Sequence, residues 1–425
     1  MTDREDSRPV YGEPRHAWLD WLRCASIVLV LGSHYQVDWW DAGLFQPVAM
    51  FNMRLGWSGV DFFFAISGFL IGNLLLGEVL RYGQLDTSRF YFRRAAKIWP
   101  LYYLTCAVYL FCAPLLFDQT LLESLRGIGP SLFHIQNYAG AARGMGHFWS
   151  LAVEEHFYLL LPIVIAAVAR LQDPRRVGPL MVRFCAGTIL AVLLLRITYV
   201  ALTGATASEV RAFTHFRIDA LLCGVLLAVV YRIWPDVWGR LRARRGVLAM
   251  AAFAGLVTFA FNPNNSLFVA TVGYTSIQLL YCSIIVFASQ FDGARVLPVL
   301  RKPLQLAAWV GRHSYPIYLF HPFIWMVEGP IILPMMEDTG FAEQSLVWLA
   351  GYIVFVSLAV GVGVVIGEIL EKPLLRLRNR LVPPRNMALE RPATPDNPHP
   401  APGHLAAASS AEIDIQSAVI GTHSR

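Results

Sequence analysis

Ten stretches of about twenty mostly apolar residues run through this chain, and that pattern constrains its fold more than any single motif. They lie at roughly 17–36, 56–77, 97–117, 147–169, 184–202, 213–231, 246–262, 267–289, 305–327 and 345–368. In hydrocarbon every backbone N–H and C=O must be satisfied internally, so each stretch is expected to be a helix. The expected fold class is an all-α integral membrane protein, a bundle of about ten transmembrane helices. Composition agrees. Of 425 residues, 56% are hydrophobic and only 15% charged, with mean hydropathy +0.49. A soluble protein of this length is not that apolar.

The net charge of +6 does not point to nucleic acid, because the basic residues cluster in short segments between apolar runs. With the N-terminus inside, the inner segments hold 25 Lys and Arg and the outer loops only Arg54, Arg126, Arg143 and Arg211. This asymmetry predicts a multi-pass protein of the inner cell membrane with both termini cytoplasmic. The six Cys lie within apolar runs with no metal-ligand spacing, so no disulfide framework and no metal site is expected. No cleavage pattern precedes the first apolar run, which is expected to be retained. Three parts follow: a flexible N-terminal arm (1–16), a membrane domain (17–381) and a Pro-, Ala- and Ser-rich disordered C-terminal tail (382–425).

The first span, AWLDWLRCASIVLVLGSHY, carries Arg23 and His34. An ionisable residue in a span is costly and marks a functional position. Eleven residues at 100° each make about three turns, so both side chains share one face, roughly 16 Å apart along the axis. The second span opens GWSGVDFFFAISGFLIG, placing Asp61 at a depth comparable to His34. The segment RFYFRRAAKIWPLYY sets Arg89, Arg93 and Lys97 on one helical face beside Arg94. Forked guanidinium donors suit phosphate, so a phosphorylated cytosolic donor would meet this cluster first. The fourth span, GHFWSLAVEEHFYLLLP, carries Glu154 and Glu155, of which at least one is expected to point into the bundle. Further in, THFRIDALLCG holds Arg217 and Asp219, and VGRHSYPIYLFHPFI holds His321. Glu368 and the Glu371-Lys372-Pro373 run read as an anchoring stop. The run from His34 to Asp38 superficially matches an HxxxD pattern, which carries no weight at five residues.

These segments together resemble the acyltransferase 3 family of integral membrane O-acyltransferases. Several motifs in one order, across residues 17–381, carry the resemblance. It implies an Arg-x10-His pair, here Arg23 and His34, with the His as base. It also implies an acyl-CoA donor, acetyl-CoA foremost, handled at the inner basic cluster. Many members carry three consecutive Arg there; here Phe92 replaces the first, with Arg89 one turn earlier. The implied acceptor is a carbohydrate such as a surface polysaccharide or lipid-linked glycan. An appended extracytoplasmic domain, as some members carry, is not expected here, so transfer would have to finish within the membrane domain or on its own surface.

Acyl transfer needs a base for the acceptor hydroxyl and donors where the carbonyl oxygen turns negative. His34 is the expected base, since imidazole titrates near neutral pH. Asp61 or Glu154 would orient it, and Arg23 would hold the pantetheine arm or offset developing charge. Arg89, Arg93 and Arg94 would take the CoA phosphates, with no permanently bound cofactor. Ser67 and Ser150 are available as relays. A transporter or flippase of a glycan or small solute is the alternative class, though no paired broken helices in two related halves are visible.

Overall fold

The computed structural model describes residues 17–35, 37, 39–170, 174–260, 266–291, 297–336 and 340–383. Among them there is no β-strand. The helices in chain order are α1 (Ala17–His34), α2 (Gln46–Leu55), α3 (Gly59–Tyr82), α4 (Thr87–Phe117), α5 (Leu121–Leu132), α6 (Gln136–Ala139), α7 (Phe148–Ala169), α8 (Pro174–Thr203) and α9 (Ala207–Arg211). They continue with α10 (Thr214–Ile233), α11 (Pro235–Ala243), α12 (Arg245–Ala260), α13 (Tyr274–Ala288), α14 (Pro298–Arg312), α15 (Ser314–Met336), α16 (Phe341–Ile366) and α17 (Lys372–Leu381). Residues 1–16, Asp38 and 384–425, on which the terminal arms and the HxxxD pattern fall, lie outside the described residues.

Local sequence sets the helix ends. Asp86 caps α4 by accepting from the Arg89 amide at 3.0 Å. Gly83, with φ of 71°, closes α3, where a side chain would be strained. Thr120 and Glu123 form a capping box on α5, and Thr206 and Glu209 form one on α9. Bonds from the Thr206 backbone and hydroxyl hold the Glu209 carboxyl below its ordinary range.

The bundle reverses the arrangement of a soluble protein. Phe111 and Leu115 are 78% and 87% exposed, while Arg196, Arg217, Asp219 and His321 are fully buried. Apolar groups outside and charges inside are what a lipid solvent selects. Seven helical segments are long and apolar enough to cross a membrane: 42–82, 87–117, 148–169, 176–203, 269–288, 314–336 and 341–381. The described residues of every expected stretch are mainly helical, but the count of about ten is not reproduced. The 16-residue α12 is short, and α1 and α10 carry Asp20, Arg23, Arg217 and Asp219 inside them. The stretch expected at 305–327 is two helices that break at His313. There the basic, amphipathic α14 ends, and Pro316 sits in the first turn of α15, where a missing N–H costs nothing.

Close crossings fix which helices meet. On α3, a Cβ added to Gly68 would stand 1.9 Å from the Leu221 carbonyl of α10. Reciprocally, one on Gly224 would stand 2.2 Å from the Ala65 carbonyl. Only glycine permits this approach, the small-residue packing common in membranes. Gly311 of α14 likewise lies against the Asp20 carbonyl of α1, and Gly363 of α16 against Ile317 of α15. Trp21 adds a tie by donating to the Leu304 carbonyl at 2.9 Å. These contacts fix α3 against α10, α1 against α14 and α15 against α16; the polar groups described next lie on α1, α7 and α15.

Candidate functional site

The end of α1 presents His34. Its Nδ1 lies 2.8 Å from the Val30 carbonyl of its own helix. A carbonyl only accepts, so Nδ1 carries the proton in the neutral ring and the lone pair is on Nε2. The His321 ring of α15 stands edge-on to it, centroids 4.7 Å apart. His321 repeats the arrangement, with Nδ1 2.8 Å from the Tyr318 carbonyl. Its Nε2 is buried with no hydrogen-bond partner. His147, just before α7, lies 5.5 Å from His321 by ring centroid. Tyr318 Oη donates to the His147 carbonyl at 2.8 Å and lies 2.6 Å from Ser150 Oγ. Three imidazoles, a phenol and a serine from α1, α7 and α15 thus form one buried cluster.

A second cluster lies further along α4 and α7. The Arg94 guanidinium covers the Tyr158 ring at 4.0 Å. Tyr158 Oη donates to Glu154 Oε2 at 2.9 Å and lies 2.6 Å from Ser67 Oγ. Glu155 accepts from Trp99 Nε1 at 3.1 Å. Lys97 is close enough to Arg94, Arg23, Glu371 and Arg378 to feel their charges. On α15, Tyr315 donates to the Ile98 carbonyl of α4 at 2.8 Å. On α7, Ser150 of the first cluster and Glu154 of the second are four residues apart, about 6 Å along the helix axis.

The expected catalytic residues divide between these places. His34 sits in the imidazole cluster. Arg23 does not join it: its Nη1 pairs with Asp20 Oδ1 at 2.7 Å, and its side chain is 29% exposed. That partner stood in the sequence, one turn earlier on the same helix. Asp61 does not orient His34 either. It is ion-paired with Arg217 and accepts from Gln278 at 3.2 Å. Arg217 lies 3.7 Å beneath the Tyr274 ring, and Arg196 pairs with Asp219 at 3.2 Å. This doubly charged pair of pairs is a buried brace between α3, α8, α10 and α13. Glu154 belongs to the Tyr158 cluster, so His34 is oriented by a backbone carbonyl, with no carboxylate bonded to it among the described residues.

At the basic segment that opens α4, Arg89 donates to the Pro383 carbonyl and Arg93 to that of Val382. Arg94 instead turns inward, so the three guanidiniums do not converge on one point. Glu368 accepts from His313 at 2.9 Å and pairs with Lys372, in keeping with an anchor. His147 and Tyr318 were not among the expected site residues. The signal for Tyr318 was the stripe Tyr315, Tyr318, His321, Trp325, Glu328, which lines one face of α15. No group of three His, Cys, Asp or Glu among the described residues could hold a metal ion.

Comparison with known proteins bears on what these clusters serve. Residues 16–368 match the family described as an acyltransferase domain. The chain is 28% identical over 332 residues to the O-acetyltransferase OatA of Staphylococcus aureus, covering 73% of this chain and 51% of that protein. It is 28% identical over 340 residues to the peptidoglycan O-acetyltransferase OatA of Listeria monocytogenes, covering 74% and 50%. Against the putative peptidoglycan O-acetyltransferase YrhL of Bacillus subtilis it is 27% identical over 349 residues, covering 74% and 49%. The chain spans about half the length of these curated relatives. No solved structure matches it. The family match runs from the start of α1 to the end of α16 and contains both buried polar clusters: the chain belongs to the acyltransferase 3 family.

Proposed function

We propose that this chain is a membrane O-acyltransferase that moves an acyl group, acetyl in the simplest case, from cytosolic acyl-CoA to a carbohydrate hydroxyl. Peptidoglycan is the acceptor that two relatives' names give, and a glycan of that kind is the acceptor class we assign. The observation that carries the reading is the state of His34. Its Nδ1 proton is held by the Val30 carbonyl, which leaves the Nε2 lone pair as a base inside a buried cluster. His34 Nε2 takes the hydroxyl proton as the acceptor oxygen bonds to the thioester carbonyl carbon. The C–S bond then breaks, and the departing thiolate receives that proton from His34. Atoms and charge balance with no further reagent.

The donor would enter from the basic end. The carbonyl oxygens that Arg89 and Arg93 hold mark where phosphate oxygens would be received, with Arg94 and Lys97 deeper along α4. The pantetheine arm would follow α4 past Tyr158 and Tyr315 to the imidazoles. Asp61 and Arg217 serve this site from a distance, by bracing the helices around it.

The test uses purified protein, labelled acetyl-CoA and a soluble peptidoglycan fragment. Wild-type protein releases CoA only when acceptor is present and labels the glycan. H34A loses both by more than about 10²-fold while it inserts and accumulates as wild type does. Full turnover in H34A removes His34 from the chemistry. Acceptor movement without CoA release would indicate a transporter.

A further inference from the structure

A base alone does not complete acyl transfer, because the attacked carbonyl oxygen gathers negative charge and needs a donor beside it. Taking His34 as the base, as proposed above, the neighbouring groups can be compared; Arg211, whose charge reaches His34, is half-buried with its guanidinium 5.8 Å from the Trp149 ring centre. Arg23 is roughly 16 Å down α1 and already paired with Asp20. Arg196 is fully buried and pairs with Asp219, and Arg217, whose Nε and Nη1 have no hydrogen-bond partner among the described residues, is ion-paired with Asp61 and lies against the Tyr274 ring. The Phe148 and Trp149 amides at the start of α7 already bond the Met145 and Gly146 carbonyls, at 3.0 and 3.3 Å. The Tyr318 and Ser150 hydroxyls are engaged with each other and with the His147 carbonyl, at 2.6, 2.8 and 3.2 Å. His34 and His321 each commit their ring proton to a carbonyl and offer only a lone pair.

Among the uncharged groups of the imidazole cluster, His147 differs. It is only 6% exposed, and both ring nitrogens are buried without a hydrogen-bond partner. The Leu319 carbonyl lies near one edge of the ring without completing a hydrogen bond. A neutral imidazole always carries one N–H, and burying it unsatisfied is costly, so a native site that does so calls for an explanation. The residue's own carbonyl is held by two hydroxyls, which places the ring while leaving its nitrogens open.

We propose that His147 is a further catalytic residue, donating its ring N–H to the oxygen of the thioester carbonyl. In the step, the acceptor O–H proton passes to His34 Nε2 and the new C–O bond forms. The carbonyl π pair moves onto the oxygen, where the His147 N–H holds it. The pair returns as the C–S bond breaks, and no proton leaves His147. An uncharged donor at this position strengthens its bond only as charge develops, so it acts on turnover more than on donor binding.

The test compares H147F, H147Q and H34A with wild type in the full chain, using labelled acetyl-CoA and the peptidoglycan fragment. H147F should lose about 10²–10³-fold in kcat, with KM for acetyl-CoA within about threefold. H147Q, whose amide restores an N–H, should recover at least about tenfold over H147F. A kcat for H147F within about threefold of wild type overturns the proposal. So does an H147Q no better than H147F when both run as folded monodisperse protein. If H147F fails to accumulate, H147Q alone decides. Turnover above about a tenth of wild type supports the donor role, and loss to the H34A level overturns it. An active H34A beside an inactive H147F would remove the base assignment and leave the donor assignment standing.

Discussion

At the scale of single residues, what matters is whether each buried polar atom has a partner. Arg217 and Asp61 are 0% and 2% exposed and hold each other, with Gln278 as a second donor to Asp61. Such a pair contributes little net stability when intact, yet removing one member strands the other. R217M should therefore destabilise the protein by about 3–5 kcal/mol, and combining it with D61L should recover part of that loss. Thermal denaturation in detergent, read by loss of monodisperse protein, checks both. An R217M that melts with wild type would mean the pair is not a brace. The imidazole cluster is the opposite case. There both His147 nitrogens and His321 Nε2 have no partner among the described residues and no charged group pairs with them, which makes it the place we assign to a substrate that completes the hydrogen bonding.

At the scale of elements, short helices precede α7 and α10: the four-residue α6 and the capped α9. The α9 helix is only five residues, too short to persist alone, and depends on the Thr206–Glu209 box. Glu209 accepts from the Thr206 amide at 2.6 Å and hydroxyl at 2.7 Å, and those bonds lower its pKa. A folded pKa depressed below the unfolded one contributes stability above the unfolded value, and that stability is lost as pH falls through the folded value. Acidification below the ordinary carboxylate range should thus raise amide exchange across Thr206–Arg211 before the long helices respond. E209Q should show the faster exchange already at neutral pH. A pH-independent exchange rate in this segment would show that the box does not hold α9.

At the scale of the whole molecule, the distribution of Lys and Arg predicts which end faces the cytoplasm. The α9 end and the α17 end should then lie on opposite sides of the membrane. In a chain with its six cysteines replaced, S208C should react with an impermeant maleimide on intact cells. R380C should react only after permeabilisation. The reverse pattern would invert the path drawn for the donor and place the imidazole cluster on the cytoplasmic side.

Much of this was legible in the amino-acid order, because a lipid solvent imposes simple rules. Apolar length marks the helices, a costly charge marks a position of interest, and an interval of eleven puts Arg23 and His34 on one face. Even the Asp20–Arg23 and Glu154–Tyr158 contacts follow from spacings of three and four on a helix. The spacing along one helix does not say what stands opposite. That Asp61 answers Arg217 and leaves His34 alone depends on the α3–α10 crossing, which Gly68 and Gly224 permit by the lack of a Cβ. The meeting of His34, His147 and His321 depends on three helices drawn from opposite ends of the chain. Residue order sets which groups are too polar for lipid; only the packing of helix on helix decides which of them satisfy one another and which are left open for a substrate.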